Sequence, residues 1–284
     1  MLKLSLIIPV YNEERHIRNC LDAVAAQTDM PDEVIVVDNN STDKTIEIAK
    51  SYDFVTVVVE TKQGRGHARS AGFNAAKHEI LGRIDADSRI AVDWVARVRK
   101  RFSEDQELDG LAGIGYTVFL PGINFVRSTI FTRSYLWSAH AQFNTITMWG
   151  ANMAIRKPSW IQARDKVCLD DSRVHEDQDI SLWMAAAGAK IMVDNRLRIT
   201  TNGQGYRYAP KLLHYTYLQM ITKRMHRQNG NLKSPKLRRL GFWNTLPGRL
   251  YALPGSVYIF VVAVVLFPID YPVHRIWPKS WWLD

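Results

Sequence analysis

The first third of the chain alternates between short apolar runs and segments in which apolar residues recur every three to four positions. The apolar runs are "LKLSLIIPV", "DEVIVVDN", "FVTVVVE" and "EILGRID", and each predicts a strand buried on both faces. The segments between them, among them "EERHIRNCLDAVAAQ" and "STDKTIEIAKSY", have the spacing of helices. Strands and helices that alternate with short connections predict an α/β domain with a mainly parallel sheet.

The pattern becomes less regular after Asp87. Helices are predicted at "VDWVARVRKRF", "EDQDISLWMAAAGA" and "YAPKLLHYTYLQMITKRMHRQ", and strands at "LDGLAGIGYTVF", "MWGANMAIRK" and "KIMVD". The acidic residues that open the second of these helices lie where the helix dipole favours negative charge. We therefore predict an α/β domain over residues 1–205 and a helical, basic region over residues 206–284.

The composition is that of a globular protein, with 46% hydrophobic and 23% charged residues. The net charge of +9 is unevenly distributed, because no Asp or Glu occurs between Asp194 and Asp270. That interval contains twelve basic residues, namely Arg196, Arg198, Arg207, Lys211, Lys223, Arg224, Arg227, Lys233, Lys236, Arg238, Arg239 and Arg249. Such an asymmetry indicates contact with nucleic acid or with an anionic membrane surface.

An apolar segment near residues 251–269, "YALPGSVYIFVVAVVLFPI", favours the membrane. Its length approaches the ~20 residues that cross a bilayer, and tryptophans follow it, as in membrane anchors. A spanning helix, a helix lying in one leaflet and a buried core helix all stay open. We expect membrane association at the cytoplasmic face. We also expect Cys20 and Cys168 to be reduced core residues, as in a cytosolic protein.

Polar, oxygen-rich sequences follow three of the four predicted strands: "PVYNE", "VVDNNSTD" and "DADS". Ligands of parallel sheets gather at the carboxyl ends of the strands, so we place a site there. Asp85 and Asp87 are one residue apart, and two neighbouring carboxylates need a positive partner. A divalent ion, Mg²⁺ or Mn²⁺, fits this chemistry and usually shares its ligands with a diphosphate. The alternative is a salt bridge with Arg83 or Arg89.

A set of motifs resembles the family 2 glycosyltransferases with the GT-A fold. The motifs are "LSLIIPVYNEERHIRNCLDAVAAQ", "EVIVVDNNSTDKTIEIA", "GRGHARSAGFNAA", "IDADS", "GANMAIRK" and "HEDQDISL", and their order and spacing match that family. The match runs from about Leu4 to Asp194. The resemblance implies a UDP- or GDP-sugar donor, a divalent metal and inversion at the anomeric carbon.

The resemblance also implies roles for individual residues. Asp87, and with it Asp85, would be the metal ligands, and Asp177 would be the general base, held by Glu176. The residues implied in nucleotide-sugar binding are Pro9, Tyr11, Glu13, Asp38, Ser41, Gly66, Arg69, Asp85 and Asn152. His175 and His214 are either further metal ligands or structural residues.

The chemistry of the residues agrees with these roles. An acceptor hydroxyl must lose its proton as it attacks, and a carboxylate with a raised pKa removes it well. We expect the crowding of Glu176, Asp177 and Asp179 to raise their pKa values. Arg224 and Arg227 either clamp the departing diphosphate or belong to a basic surface helix.

Several functions compete. The chain lacks the Q-x-x-R-W box of processive family members, which favours transfer of one sugar to a lipid-linked or envelope glycan acceptor. A polyprenyl-phosphate acceptor is the alternative. A nucleotidyltransferase would need a Gly-rich, Lys-containing loop after the first strand, where this chain has "PVYNE". The apolar tail beside the basic residues favours membrane lipids as partners over nucleic acid.

Overall fold

The computed structural model describes residues 2–117, 145–201 and 209–232. In these ranges the strands are β1 (Leu4–Val10), β2 (Glu33–Asp38), β3 (Val55–Val59), β4 (Ile80–Ile84), β5 (Ser88–Ile90), β6 (Leu108–Thr117), β7 (Asn152–Arg156) and β8 (Lys190–Thr201). The helices are α1 (Ile17–Ala25), α2 (Thr45–Lys50), α3 (Arg65–Ala75), α4 (Trp94–Glu104), α5 (Lys157–Ala163), α6 (Glu176–Ala186) and α7 (Ala209–Gln228).

All the described strands form one sheet in the order β3-β2-β1-β4-β7-β6-β8-β5. The first four strands of this order are parallel, as the alternating strand and helix pattern predicts. β7 then pairs antiparallel with both β4 and β6, and β8 pairs parallel with β6. The predicted α/β class is confirmed, and the sheet is mixed beyond β4.

The apolar runs are continuous because the sheet is covered on both faces. On one face Leu6 and Ile8 of β1 belong to a cluster with Leu21 of α1 and Trp94 of α4. On the other face Ile7 belongs to a second cluster with α3, α5 and α6. Successive side chains of a strand point to opposite faces, so β1 supplies both clusters.

The sequence pattern did not predict some of the elements, or predicted them too short. β5 is only three residues long, and α5 is a single short helix after β7. β8 continues past the predicted "KIMVD" to Thr201, because its second half pairs with β5 and with the end of β6. Cys20 is buried as expected, whereas Cys168 is only half-buried.

A buried polar cluster attaches α7 to the rest of the molecule. The fully buried side chains of His226 and Asp179 meet with Nε2 and Oδ1 2.8 Å apart. Asn231 donates to Nδ1 of this ring, so Nε2 carries the proton that Asp179 accepts. The second carboxylate oxygen accepts the backbone N–H of Cys168 at 2.7 Å. The helix predicted here is therefore confirmed, and it packs on α6.

Replacing His226 by alanine should lower the free energy of unfolding by roughly 1–3 kcal/mol, the cost of leaving a buried polar group without its partner. The group left behind is the carboxylate of Asp179, which is itself fully buried. Chemical denaturation of the variant measures the loss. His78→Ala is the control, because His78 is only partly buried; equal losses in both variants would contradict a stabilising role of the pair.

Two predictions fall outside the described residues. The boundary between residues 205 and 206 lies within 202–208, and the apolar segment near 251–269 lies within 233–284. Among the helices that the structure describes, none combines the length and apolar character needed to cross a membrane.

Candidate functional site

Asp85 and Asp87 lie in a tight turn between β4 and β5. The backbone N–H of Ser88 donates to the carbonyl of Asp85 at 3.0 Å and closes the turn. Thr201, at the end of β8, donates its hydroxyl to Oδ2 of Asp87 at 3.0 Å. The thiol of Cys20 approaches the Asp85 carbonyl at 3.8 Å and braces the turn from α1. The carboxylates are thus fixed by a turn rather than by a continuing strand.

Arg83 connects the two acidic motifs of the sequence. Its side chain is only 4% exposed at the end of β4. Nη2 donates to Asp85 at 3.2 Å and to Glu176 at 3.0 Å, while Nη1 donates to Asp177 at 2.8 Å. The salt bridge considered for Asp85 is therefore present. The same guanidinium also holds the predicted base at the start of α6.

Glu176 is the most strongly held carboxylate of this cluster. It pairs with Arg83 and, at 2.9 Å, with the fully buried Arg69, which also donates to the Glu176 carbonyl. Burial by itself would raise the pKa of Glu176, but Arg83 and Arg69 lower it well below its usual range. The expectation that crowding raises this pKa is wrong, because buried cations outweigh the neighbouring acids and Asp179 is turned towards His226.

Gly150 makes room for the contact between Arg83 and Asp177. A Cβ atom at this position would lie 2.3 Å from Oδ1 of Asp177 and 2.4 Å from Nη1 of Arg83. Any side chain would therefore displace the pair. Gly150 opens the motif "GANMAIRK", but nothing in the sequence indicates this steric role.

Gly150→Ala should lower turnover on the order of 10²-fold, the effect expected when a catalytic group moves by about 1 Å. Steady-state kinetics of the variant measure this loss. Gly188→Ala is the control: its added methyl meets nothing within 4 Å, and its φ of +91° causes strain far from the site. That control should lose roughly 1 kcal/mol of stability and keep its turnover. Equal turnover in the two variants would contradict the steric role of Gly150.

The turn with Asp85 and Asp87 has the properties of a divalent metal site. Burial and the charges of Asp87, Asp177 and Glu176 raise the pKa of Asp85 to about 7, against the effect of Arg83. The side chain of Asp85 nevertheless stays 43% exposed, so its oxygens are accessible. An excess of negative charge with accessible oxygens suits Mg²⁺ or Mn²⁺ shared with a diphosphate.

Within residues 2–117, 145–201 and 209–232, no group of three or more His, Cys, Asp and Glu side chains is placed to hold a metal. His175 and His214 therefore do not complete a site with the aspartates. The rings of both histidines lie against Tyr215, at centroid distances of 5.9 Å and 6.5 Å. Burial lowers the pKa of His175, as expected for a neutral structural histidine.

The ends of β1 and β2 form one interlocked edge. Asn12 adopts a positive φ of 54°, and its N–H donates to the hydroxyl of Ser41 at 3.1 Å. Its side chain in turn accepts the N–H of Thr42 at 2.8 Å. Asp38 accepts the N–H of Ser41 at 2.9 Å. The predicted nucleotide-binding residues of both strand ends thus lie together, and Tyr11 is exposed beside them.

Glu13, just after the end of β1, and the two aspartates of the turn affect the pKa of the same residue, Cys20. Burial first, and then the charges of Asp87, Asp85 and Glu13, raise the pKa of the Cys20 thiol. The negative charge of Glu13 therefore acts on the same buried thiol as the charges of the two aspartates. Pro9 lies within β1 and pairs in register with Val37.

Two predicted donor-binding residues are in the core instead. Asn152 is fully buried: its amide donates to the carbonyls of Ile114 and Leu197 at 3.0 Å, and its oxygen accepts from Trp94. The side chain of Arg69 is also fully buried, beneath Glu176. In this structure both side chains hold the framework of the site, so their predicted part in donor binding would be to position the groups around the donor; donor binding by either residue stays a prediction.

Gly66 is required by packing. A Cβ atom there would lie 2.6 Å from the carbonyl oxygen of Leu169. The preceding Arg65, which the sequence did not single out, donates from Nε to Asp171 at 2.9 Å and from Nη1 to the Tyr215 hydroxyl at 3.2 Å. Arg65 thereby ties the start of α3 to α7 beside the site.

Arg224 and Arg227 lie on the side of α7 that is turned away from α6. The side of α7 that faces α6 carries Thr222 and His226, which contact the backbone of His175 and the side chain of Asp179. Arg224 lies about 200° around the helix from Thr222. Both arginines are exposed. Of the two alternatives that the sequence leaves open, these directions favour the basic surface helix over the diphosphate clamp.

The fold and the acidic strand-end site define a class, the GT-A transferases, and comparisons with known proteins agree. The structure resembles the mannosyltransferase PcManGT from Pyrobaculum calidifontis in complex with GDP-Man and Mn²⁺, with a TM-score of 0.65 at 22% identity over 93% of this chain and 76% of that one. It also resembles S. aureus TarS 1-349 in complex with UDP-GlcNAc, with a TM-score of 0.56 at 18% identity over 89% of this chain and 79% of that one.

The model of glycosyl transferase family 2 matches residues 5–162, which is more than half of the chain. The chain belongs to this family. Over 101 residues it is 41% identical to Glycosyltransferase AglE of Haloferax volcanii, a match that covers 33% of each protein. The aligned part therefore spans about a third of that relative.

Proposed function

We propose that the protein is an inverting glycosyltransferase that moves one sugar from a nucleotide sugar to a lipid-linked or envelope glycan acceptor. The observation that carries this proposal is the bridge of Arg83 between Asp85 and Asp177. It holds the turn that would bind the diphosphate beside the candidate base. The relatives and structural neighbours named above support the choice of a nucleotide-sugar donor.

In this proposal the donor lies across the carboxyl ends of β1, β2 and β4. The interlocked loops that carry Tyr11, Asp38 and Ser41 would take the nucleoside. Asp85 and Asp87 would hold Mg²⁺ or Mn²⁺, and this ion would balance the charge that develops on the leaving diphosphate. PcManGT with GDP-Man and TarS with UDP-GlcNAc leave both guanine and uracil as candidate bases.

Asp177 is the proposed base. Its Oδ1 accepts a hydrogen bond from Arg83, whereas no side chain of the described residues donates to Oδ2. Oδ2 is therefore available to accept the proton of an acceptor hydroxyl. Arg83 and the helix start fix the direction of the carboxylate. The oxygen that loses its proton then forms the new bond to the anomeric carbon, and the nucleoside diphosphate leaves from the opposite face.

A second acceptor class deserves a test, because a polyprenyl phosphate is already an anion and needs no base. The apolar segment near residues 251–269 favours a lipid acceptor of either kind. A nucleotidyltransferase is disfavoured by the end of β1, which carries Tyr11, Asn12 and Glu13 in place of a Gly-rich loop with a lysine.

A thermal-shift screen of UDP- and GDP-sugars, with and without Mn²⁺, tests the proposal. A ligand that binds only the native state raises the melting temperature. We expect one nucleotide family to raise it in the presence of Mn²⁺, and much less after chelation. If no nucleotide sugar shifts the wild-type melting temperature under either condition, the proposed function is wrong.

We further propose that the enzyme acts at the cytoplasmic face of the membrane, where nucleotide sugars and the heads of lipid-linked acceptors meet. The basic residues after Asp194 would attract anionic headgroups, and the segment near 251–269 would bury apolar side chains. Full-length protein should stay in the membrane pellet through a high-salt wash and leave it only with detergent. Extraction without detergent would contradict this placement.

A further inference from the structure

Four exposed side chains run along the outer side of α7. Tyr217 and Met220 are large apolar residues with 57% and 53% of their surface exposed. Arg224 and Arg227 are exposed as well. We call these four residues the α7 stripe. At about 100° per residue, all of them lie within about 40° of the direction opposite Thr222, and the stripe is about 15 Å long.

The orientation of the stripe is fixed by the inner side of the helix. Leu218, Thr222 and His226 are fully buried. Thr222 accepts the backbone N–H of His175, and His226 donates to Asp179. These contacts prevent α7 from turning its exposed apolar residues inward. The α7 stripe is therefore available to a partner outside the described part of the chain.

The charge of the region indicates which partner this is. α7 contains no Asp or Glu. The sequence that follows its end adds Lys233, Lys236, Arg238 and Arg239, and then the apolar segment near residues 251–269. A surface with exposed apolar side chains, arginines and no acids matches the interface of an anionic bilayer. Nucleic acid would match the arginines alone.

We propose that the α7 stripe rests on the surface of an anionic lipid bilayer, with Tyr217 and Met220 among the headgroups and Arg224 and Arg227 beside lipid phosphates. This inference rests on the proposed membrane placement and adds the contact surface and its orientation. Because the inner side of α7 reaches Arg65 through Tyr215, the site would stand about one helix diameter, roughly 10 Å, above the headgroups.

The test places an environment-sensitive fluorophore on single cysteines of the full chain. Met220→Cys reports on the stripe, and Val59→Cys on the exposed β3 is the matched control, both made in a Cys168→Ser background because Cys20 is buried. The proteins are reconstituted into phosphatidylcholine liposomes with and without phosphatidylglycerol. Lipids that carry a quencher near the headgroup measure contact with the bilayer.

In liposomes with phosphatidylglycerol, the label at residue 220 should shift its emission to shorter wavelength and lose intensity to the quencher, while the label at residue 59 should do neither. Charge reversal by Arg224→Glu with Arg227→Glu should reduce quenching at residue 220. The matched reversal of Arg18 and Lys50, which are exposed on α1 and α2, should leave it unchanged.

The outcomes separate this inference from the membrane placement on which it rests. If the chain stays with the liposomes but the labels at residues 220 and 59 behave alike, the stripe proposal is wrong and the placement stands. If both charge reversals reduce quenching equally, the stripe proposal is wrong as well. If the full chain does not remain with the liposomes, both proposals fail. Donor binding in the thermal-shift screen is independent of all three results.

Discussion

Asp177→Asn should lower turnover by roughly 10²–10⁴-fold while leaving nucleotide affinity close to that of the wild type. The amide keeps an oxygen that accepts the hydrogen bond from Arg83, so the position of this side chain is preserved. It cannot accept the proton of an acceptor hydroxyl at neutral pH. Steady-state kinetics, together with nucleotide titration of the same variant, separate the loss of the base from a loss of binding.

Asp171→Asn is the control for this variant. Asp171 is also an acidic partner of an arginine near the site, but its partner is the exposed Arg65. Its replacement should reduce turnover far less than that of Asp177. A near-normal rate for Asp177→Asn would refute the hydroxyl acceptor and favour a polyprenyl-phosphate acceptor.

Arg83→Met should be the most damaging substitution in the framework of the site. It leaves Glu176 and Asp177 buried without the cation that both share, and breaking a buried ion pair in this way costs about 3–5 kcal/mol. Asp177 also loses the contact that directs it, so the folded fraction should turn over on the order of 10²-fold more slowly. Chemical denaturation and kinetics under folding conditions measure the two effects.

Arg97→Met is the matched control for stability. Arg97 also pairs with an aspartate, Asp93, but on the surface of α4, where such a pair contributes about 0.3–0.5 kcal/mol. Arg83→Lys keeps the charge but lacks the planar fork that reaches three carboxylates, so it should recover part of the stability and little of the turnover. Equal stability losses for Arg83→Met and Arg97→Met would refute the central role of Arg83.

The parallel half of the sheet was predictable because its signal is local. Each of β1 to β4 is a buried apolar run, and the polar sequences at the ends of β1, β2 and β4 meet at one edge as the topology requires. β7 was predicted as a strand, but its antiparallel pairing was not, and the second half of β8 was not predicted at all. Their pairing depends on residues far along the chain, such as the register of Ile84 with Asn152.

The acids of the candidate site were predictable from the sequence, whereas the part that its cations play was predictable only in part. "DAD" and "HEDQD" are conspicuous. Arg83 was considered as a partner of Asp85 and Arg69 as a donor-binding residue, but nothing in the sequence showed that both would pair with Glu176. Only the fold brings both guanidinium groups into the interior beside Glu176. This contact lowers the pKa of Glu176, whereas the neighbouring acids alone predicted that it would be raised. The sequence shows that like charges are close together, but it does not show which buried cation lies between them.

The sequence could not decide between two roles for Arg224 and Arg227, for a related reason. Both fall in the segment where a diphosphate clamp was considered, but helix geometry directs them away from Thr222, which favours the basic surface helix. Asn152 likewise belongs to a motif, but its side chain forms hydrogen bonds with Trp94 and with the backbone of Ile114 and Leu197. Motif position predicts proximity to the site, whereas the direction of a side chain depends on packing.

The central claim is that Asp85 and Asp87 assemble a metal-dependent donor site that serves Asp177. The most direct measurement is release of nucleoside diphosphate from the donor selected by the thermal-shift screen, with isolated membranes as the acceptor source. Wild-type protein with Mn²⁺ should release it together with transfer of labelled sugar to the membrane fraction. Chelated wild type and Asp87→Asn should do neither, although both remain folded. Undiminished transfer by chelated protein or by Asp87→Asn would contradict the claim.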